Sequence, residues 1–251
     1  MLSKNDIKII KSLELKKFRT EKGLFIAEGH KTVEELLGRF ECTLLAATQE
    51  WLESRRNIPA DRIEAVTSDE LKRASLLQNP QDMLAVFRIP KNEMKLSDAA
   101  TDNLVLALDD VQDPGNMGTI VRLADWFGIR HLFCTKGTVD IYNPKSVQAT
   151  MGALARVSVH YTDLKEALGT LPPSVPVYGT FLEGDIIYDA PLSKNGVIIM
   201  GNEGNGISTG IKQAVTKKLY IPNWPAGAPT SESLNVAIAT AVVCSEFRRR
   251  F

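Results

Sequence analysis

From residue 104 onward the chain alternates short apolar runs with helical patterns, and this alternation constrains the fold more than any other feature. The apolar runs cover 104–108, 131–135, 157–161, 175–181, 197–201 and 219–221, short enough to read as strands. Helical periodicity covers 117–127, 144–154, 163–168 and 207–214, and a long, mostly apolar helix spans 234–250. Strand-then-helix repetition of this kind predicts a parallel sheet with helices on both faces. In such sheets ligands sit outside the carboxyl ends of the strands, so the strand-to-helix loops are where chemistry belongs.

The chain before residue 90 reads differently. Its first 22 residues carry seven basic side chains against three acidic ones, and Ile7, Ile10, Leu13 and Phe18 follow a roughly helical spacing. That pattern predicts an amphipathic helix with a basic outer face. A strand at 24–28, a helix at 31–40 and strands at 43–47 and 83–89 complete a small α/β unit of ordinary domain size. The polar run Ile89-Pro90-Lys91-Asn92-Glu93-Met94-Lys95 breaks the pattern. The expected organisation is a domain over 1–90, a linker over 91–97 and a second domain over 98–251.

Composition narrows the class. The 251 residues are 44% hydrophobic and 24% charged, which is globular and too apolar for disorder. No stretch approaches the ~18 apolar residues of a membrane span, and the amino terminus has no apolar signal core. Cys42, Cys134 and Cys244 are odd in number and far apart, which fits a reducing compartment and neither a disulfide framework nor a zinc site. The expectation is a cytoplasmic protein with no membrane partner and no metal. With 30 basic and 30 acidic residues, only local patches would serve a nucleic acid.

Three loops stand out. The first, Asp109 to Gly118, holds the turn signal Pro114-Gly115, places Asn116 to cap the following helix, and leads to Arg122. An arginine near a helix start works against the macrodipole, which hints at a functional reason. The second, Gly201-Asn202-Glu203-Gly204-Asn205-Gly206, is glycine-rich and follows an apolar strand. Ile207 stands where a P-loop needs lysine, and the glycines are not spaced as in a dinucleotide fingerprint. Glu203 would repel phosphate, so the loop suits an uncharged or cationic ligand. The third runs from Ile221-Pro222 through a proline-rich stretch to Ser233-Leu234-Asn235, where Ser233 is a plausible N-cap. The apolar helix that follows is expected to be buried, in part at a subunit interface.

Together these loops resemble the SpoU/TrmH family of RNA 2′-O-ribose methyltransferases. The matching fragments are Asp113-Pro114-Gly115-Asn116-Met117-Gly118 with Arg122, Gly201 to Gly206, and Ile221-Pro222 with Ser233-Leu234-Asn235. Asn143-Pro144-Lys145 and Ala149-Thr150-Met151-Gly152-Ala153 add to it, with Thr150 where the family more often has Ser. Phe25-Ile26-Ala27-Glu28-Gly29 is similar to the signature of the substrate-binding domain attached to many members. The stretch between Ile221-Pro222 and Ser233, with Trp224, Pro225 and Pro229, is longer than usual for the family.

The resemblance implies an α/β catalytic domain with a carboxyl-terminal trefoil knot, an exception to the rule that chains do not thread loops. It also implies an L30e-like RNA-binding domain at the amino terminus, S-adenosylmethionine as cofactor, and a homodimer whose active sites draw on both subunits. The implied reaction is methylation of a ribose 2′-hydroxyl, on rRNA in preference to tRNA. Arg122 would activate the hydroxyl, either as a base or, more easily for a group with pKa above ~12, by holding phosphate and stabilising the alkoxide. Asn116, Glu203, Ser233 and Asn235 would shape the site around it. Thr180, Phe181, Leu182, Gly201, Asn202, Gly204, Gly206, Ile221 and Leu234 would hold the cofactor. Lys16, Lys17, Arg19, Lys31 and Lys145, with the Arg248–Arg250 end, would meet RNA phosphates. A non-catalytic RNA-binding protein with the same fold is the competing expectation.

Overall fold

The structure is a computed structural model that describes residues 1–91, 93–225, 229 and 231–251. Asn92 of the expected linker, and residues 226–228 and 230 of the third loop, lie outside the described residues. The chain divides into two compact units. The first comprises Met1–Lys91 and Asp140–Ala155, the second Asn92–Val139 and Arg156–Phe251. The segment Asp140–Ala155, expected in the second domain, thus groups with the first.

In the first unit the order is α1 (Lys4–Ser12), α2 (Lys16–Lys22), β1 (Leu24–Glu28), α3 (His30–Leu36), β2 (Cys42–Ala47), α4 (Gln49–Glu53), β3 (Ile63–Ala65), α5 (Ser68–Ala74) and β4 (Met83–Arg88). The strands form a mixed sheet in the order β1-β4-β2-β3, with β4 antiparallel to both neighbours. The expected single amino-terminal helix is two, because the chain turns at 13–15 with Leu13 buried. That turn carries Arg19 inward. Its side chain is 2% exposed, donates to the carbonyls of Leu13 and Glu14, and pairs with Asp140 at 2.6 Å. With every guanidinium nitrogen engaged, Arg19 is a strut and not a phosphate contact, contrary to expectation. Lys16, Lys17, Lys31 and Lys145 are exposed.

The second unit runs α6 (Leu96–Ala100), β5 (Leu104–Leu108), α7 (Pro114–Trp126) and β6 (His131–Thr135). After α8 (Pro144–Thr150), which belongs to the first unit, it continues with β7 (Ser158–Thr162), α9 (Leu164–Gly169), β8 (Val177–Phe181) and β9 (Asp185–Ile186). It closes with β10 (Gly196–Met200), α10 (Thr209–Lys212), β11 (Lys217–Tyr220) and α11 (Val236–Arg249). The seven strands lie in the order β7-β6-β5-β10-β8-β11-β9, and every pairing is parallel. All five positions of β5 and of β10 are buried, as in a sheet covered on both faces. On one face Val105, Ala107, Phe133, Val177 and Ile199 pack with Leu164 and Ile211 from α9 and α10.

The strand order reverses at β5 and β10: β6 and β7 lie beyond β5 on one side, and β8, β11 and β9 beyond β10 on the other. A crevice at such a reversal is the usual ligand position in open α/β sheets.

Helix α11, expected to be buried and in part at a subunit interface, is buried on one side within the single chain. Val243, Cys244 and Phe247 are buried, each large apolar side chain contributing about 1.5–3 kcal/mol, but Ile238 is 55% exposed. Its terminal arginines are structural. Arg248 donates to the Phe127 carbonyl at 2.6 Å, and Arg250 to those of Ala190, Ile187 and Tyr188. Arg249 and Arg250 both pair with Glu246, holding its carboxyl down at about 2. Of these three arginines, Arg249 keeps a side chain 66% exposed while paired with Glu246. Among the described residues no helix is long and apolar enough to cross a membrane.

Candidate active site

The loops after β5 and β10 and the segment before α11 are joined by side chains. Asn235 Nδ2 donates to Asn116 Oδ1 at 3.0 Å, and Asn116 Nδ2 donates to Glu203 Oε1 at 3.0 Å. One residue from each loop is thereby linked in a line. The chemistry explains the residue types: Asn116 must accept on one side and donate on the other, and an Asp there would face the Glu203 carboxylate unprotected.

Capping is arranged differently from the sequence expectation. Asp113, not Asn116, caps α7, with its Oδ1 accepting from the Asn116 backbone N–H at 2.7 Å. Pro114 at the first helical position makes the residue before it the cap, three ahead of Asn116. Asn116 is therefore free to use its side chain in the site. At α11 the cap is Asn235, whose Oδ1 accepts from the N–H groups of Ala237 and Ile238. Ser233 does not cap; it is exposed, and its carbonyl accepts from Ser231 Oγ at 3.5 Å. Asn235 thus spends its oxygen on the helix and its nitrogen on Asn116.

The glycine loop is held closed from within. The backbones of Asn202 and Gly206 exchange hydrogen bonds of 2.9 and 3.0 Å. Asn202 Oδ1 accepts from the N–H groups of Gly204 and Asn205, and its Nδ2 donates to the Asp110 carbonyl at 2.7 Å. Asn202, expected to touch cofactor, is a brace between two loops. A Cβ on Gly201 would stand 2.3 Å from the Gly206 carbonyl carbon and 2.4 Å from the Ile207 nitrogen, so only glycine fits. Gly206, at φ +66°, would meet nothing within 4 Å, and Gly204 only the Asn202 side chain. The main chain there is open to a ligand.

Sequence reasoning passed over Asp109. It is 3% exposed, and its Oδ2 accepts from the Ser208 N–H at 2.7 Å, pinning the far end of the glycine loop to β5. Asp110 holds a positive φ of 60°, and its N–H donates to Thr135 Oγ1. The signal was an Asp pair directly after an apolar strand, which reads as an ordinary turn.

At the β8 end, Thr180 Oγ1 donates to the Ile199 carbonyl at 3.3 Å, and the Phe181 ring packs on the core beneath Lys212 and Lys218. These side chains serve the sheet, leaving main chain and the exposed Leu182 for a ligand. The loops over 109–116, 201–208 and 221–235 contain no Lys or Arg and include Asp109, Asp110, Asp113, Glu203 and Glu232. Such a donor set rejects a polyphosphate and fits a cationic ligand with an uncharged ring.

The comparisons with known proteins bear on this geometry. Residues 103–245 match the model of the SpoU rRNA Methylase family, and residues 4–85 that of an MRM3-like substrate binding domain. The chain belongs to the SpoU rRNA methylase family. A relative from Bacillus subtilis, a 23S rRNA (guanosine(2553)-2′-O)-methyltransferase, is 30% identical over 96% of this chain and 95% of its own. The structure of a TrmH-family protein from Porphyromonas gingivalis superposes with a TM-score of 0.91 at 42% identity, covering 100% of both chains. An AdoMet-bound rRNA methyltransferase from Sinorhizobium meliloti superposes at 0.83 with 28% identity, covering 100% of this chain and 97% of its own.

For a SpoU protein, the position of Arg122 is informative. It lies well along the 13-residue α7, not near the start as the sequence reading had it, so the macrodipole argument falls away. It is exposed, with no hydrogen bond or ion pair among the described residues. Six residues beyond Asn116, it points about 120° away around the helix. Asn116, Glu203 and Asn235 are brought together; Arg122 and Ser233 are not joined to them by hydrogen bonds.

Proposed function

We propose that this chain transfers a methyl group from S-adenosylmethionine to a ribose 2′-hydroxyl of rRNA. The line Glu203–Asn116–Asn235 carries the reading, because it makes a single site of three loops at the sheet's reversal point. The relative from Bacillus subtilis and the AdoMet-bound structure support the substrate class and the cofactor.

When bound, S-adenosylmethionine supplies an electrophilic methyl on a positively charged sulfur. The open main chain at Gly204 and Gly206, with Ile221, Leu234 and the Thr180–Leu182 strand end, would hold the adenosyl portion. Glu203, steadied by Asn116, favours positive charge nearby. Arg122 and Trp126 share the exposed face of α7, and Ile238 lies on the exposed face of α11. These faces pair two copies of the chain, and Arg122 serves the site of the second copy. There its guanidinium would hold a phosphate and stabilise the developing alkoxide while the hydroxyl proton leaves to solvent and the oxygen–methyl bond forms as the sulfur–methyl bond breaks, a role that needs no deprotonation of an arginine. Lys16, Lys17, Lys31 and Lys145 meet the phosphates of the RNA.

Incubation with methyl-labelled S-adenosylmethionine and separated rRNA and tRNA, both from cells lacking the protein, tests the reading. Label is expected in rRNA. Label confined to tRNA overturns the substrate class, and cofactor binding without transfer to free or particle-bound rRNA favours the non-catalytic alternative.

A further inference from the structure

Trp224 is left without an explanation by the methyl-transfer site as described. It is 91% exposed, although burying so large an aromatic side chain is strongly favourable. It lies four residues past β11, in the stretch that leads to Asn235. That stretch begins at Ile221, at the carboxyl end of β11, and ends at Asn235, which bonds Asn116. Both ends of the loop therefore border the reaction site. The position is not slack: Tyr220 Oη donates to Asn223 Oδ1 at 3.2 Å, tying the residue before the indole to the strand, and Pro222 and Pro225 stiffen either side.

We propose that Trp224 is a stacking platform for an unpaired base of the RNA substrate, next to the nucleotide whose ribose is methylated. The proposal rests on the RNA methyltransferase reading above. A single rigid aromatic side chain suits a base, which offers a π-face of similar size, and proteins that read RNA take hold of splayed bases in this way. The same loop carries exposed polar residues, Ser231, Glu232 and Ser233, able to meet base edges. A protein partner would call for a contiguous apolar surface; the other large apolar side chain exposed in the described part of this stretch, Leu234, is placed against the cofactor in the proposed site, and Trp126 and Ile238 lie on α7 and α11.

The test compares the full-length wild type, Trp224→Ala and Trp224→Phe on rRNA from cells lacking the protein. Trp224→Ala is expected to raise KM for RNA roughly tenfold, with cofactor affinity unchanged and Trp224→Phe recovering most of the loss. RNA is also expected to quench tryptophan emission in the wild type, and much less in Trp224→Phe. Unchanged KM in Trp224→Ala, or quenching as deep in Trp224→Phe as in the wild type, overturns the proposal. So does dissociation into monomers on Trp224→Ala, which would assign the indole to a subunit interface. Quenching lost in Trp224→Phe in the absence of any methyl transfer supports the platform while overturning the enzymatic reading, so the two fail separately.

Discussion

At the residue scale, the site depends on amides that both give and accept. Replacing Asn116 by Ala removes two hydrogen bonds of about 1 kcal/mol each and frees Glu203 from its orienting partner. The expected outcome is a loss of roughly tenfold or more in kcat/KM, with a thermal midpoint close to wild type, since both bonds are solvent-accessible. Steady-state methylation and a melting curve check both halves. Arg19 behaves oppositely. Arg19→Ala strands Asp140 and two carbonyls, and is expected to cost stability on the order of 3–5 kcal/mol without flattening the salt dependence of RNA binding. A flattened slope with unchanged stability would return Arg19 to the RNA face. The sequence showed the identity of the site amides but not the fate of Arg19, because its partner lies 121 residues away and leaves no local signal.

At the scale of elements, what was legible followed local rules. Strand β5 is legible to the residue because it is a continuous apolar run closed by Asp109-Asp110, and β6 because its apolar centre Leu132-Phe133-Cys134 is followed by Lys136-Gly137. Helix α5 was missed although Thr67 and Glu70 form a capping box around its start, a pattern visible in the sequence. The caps of α7 and α11 were shifted because Asp113 and Asn116, or Ser233 and Asn235, compete as candidates, and only Pro114 breaks the tie in one of them. The glycine loop after β10 was recognised, but its need for Gly201 comes from backbone packing across the loop. Gly201→Ala is expected to open the Asn202–Gly206 bridge, abolish cofactor binding and lower the thermal midpoint. Titration calorimetry with S-adenosylmethionine checks this; wild-type affinity in that variant would mean the loop adjusts and the close approach is not required.

At the scale of the whole molecule, the parallel sheet and its helical cover were legible from alternation, while the grouping of Asp140–Ala155 with the first unit was not, since it depends on contacts distant in sequence. The second unit also contains a built-in response to acid. His131 Nδ1 and His160 Nε2 approach to 3.2 Å on neighbouring strands, and burial pushes the His131 imidazole below its usual value. The unfolded chain therefore takes up a proton at higher pH than the folded one. Stability is full above the ordinary imidazole value near pH 6.5 and is lost as the pH falls through the lowered one. Thermal midpoints measured from pH 7.5 to 5 are expected to fall, and His131→Gln to flatten the fall; an identical decline in both would remove His131 as the cause.

Loops after three parallel strands meet through Asn116, and the reaction proposed for them is methylation of a ribose. Mass spectrometry of the nucleosides from rRNA treated with the protein and S-adenosylmethionine tests it most directly. One nucleoside is expected to carry a new methyl on its 2′-oxygen, and to be absent when Asn116 is replaced by Ala. A methyl group on a base, or a 2′-O-methyl yield unchanged in that variant, would contradict it.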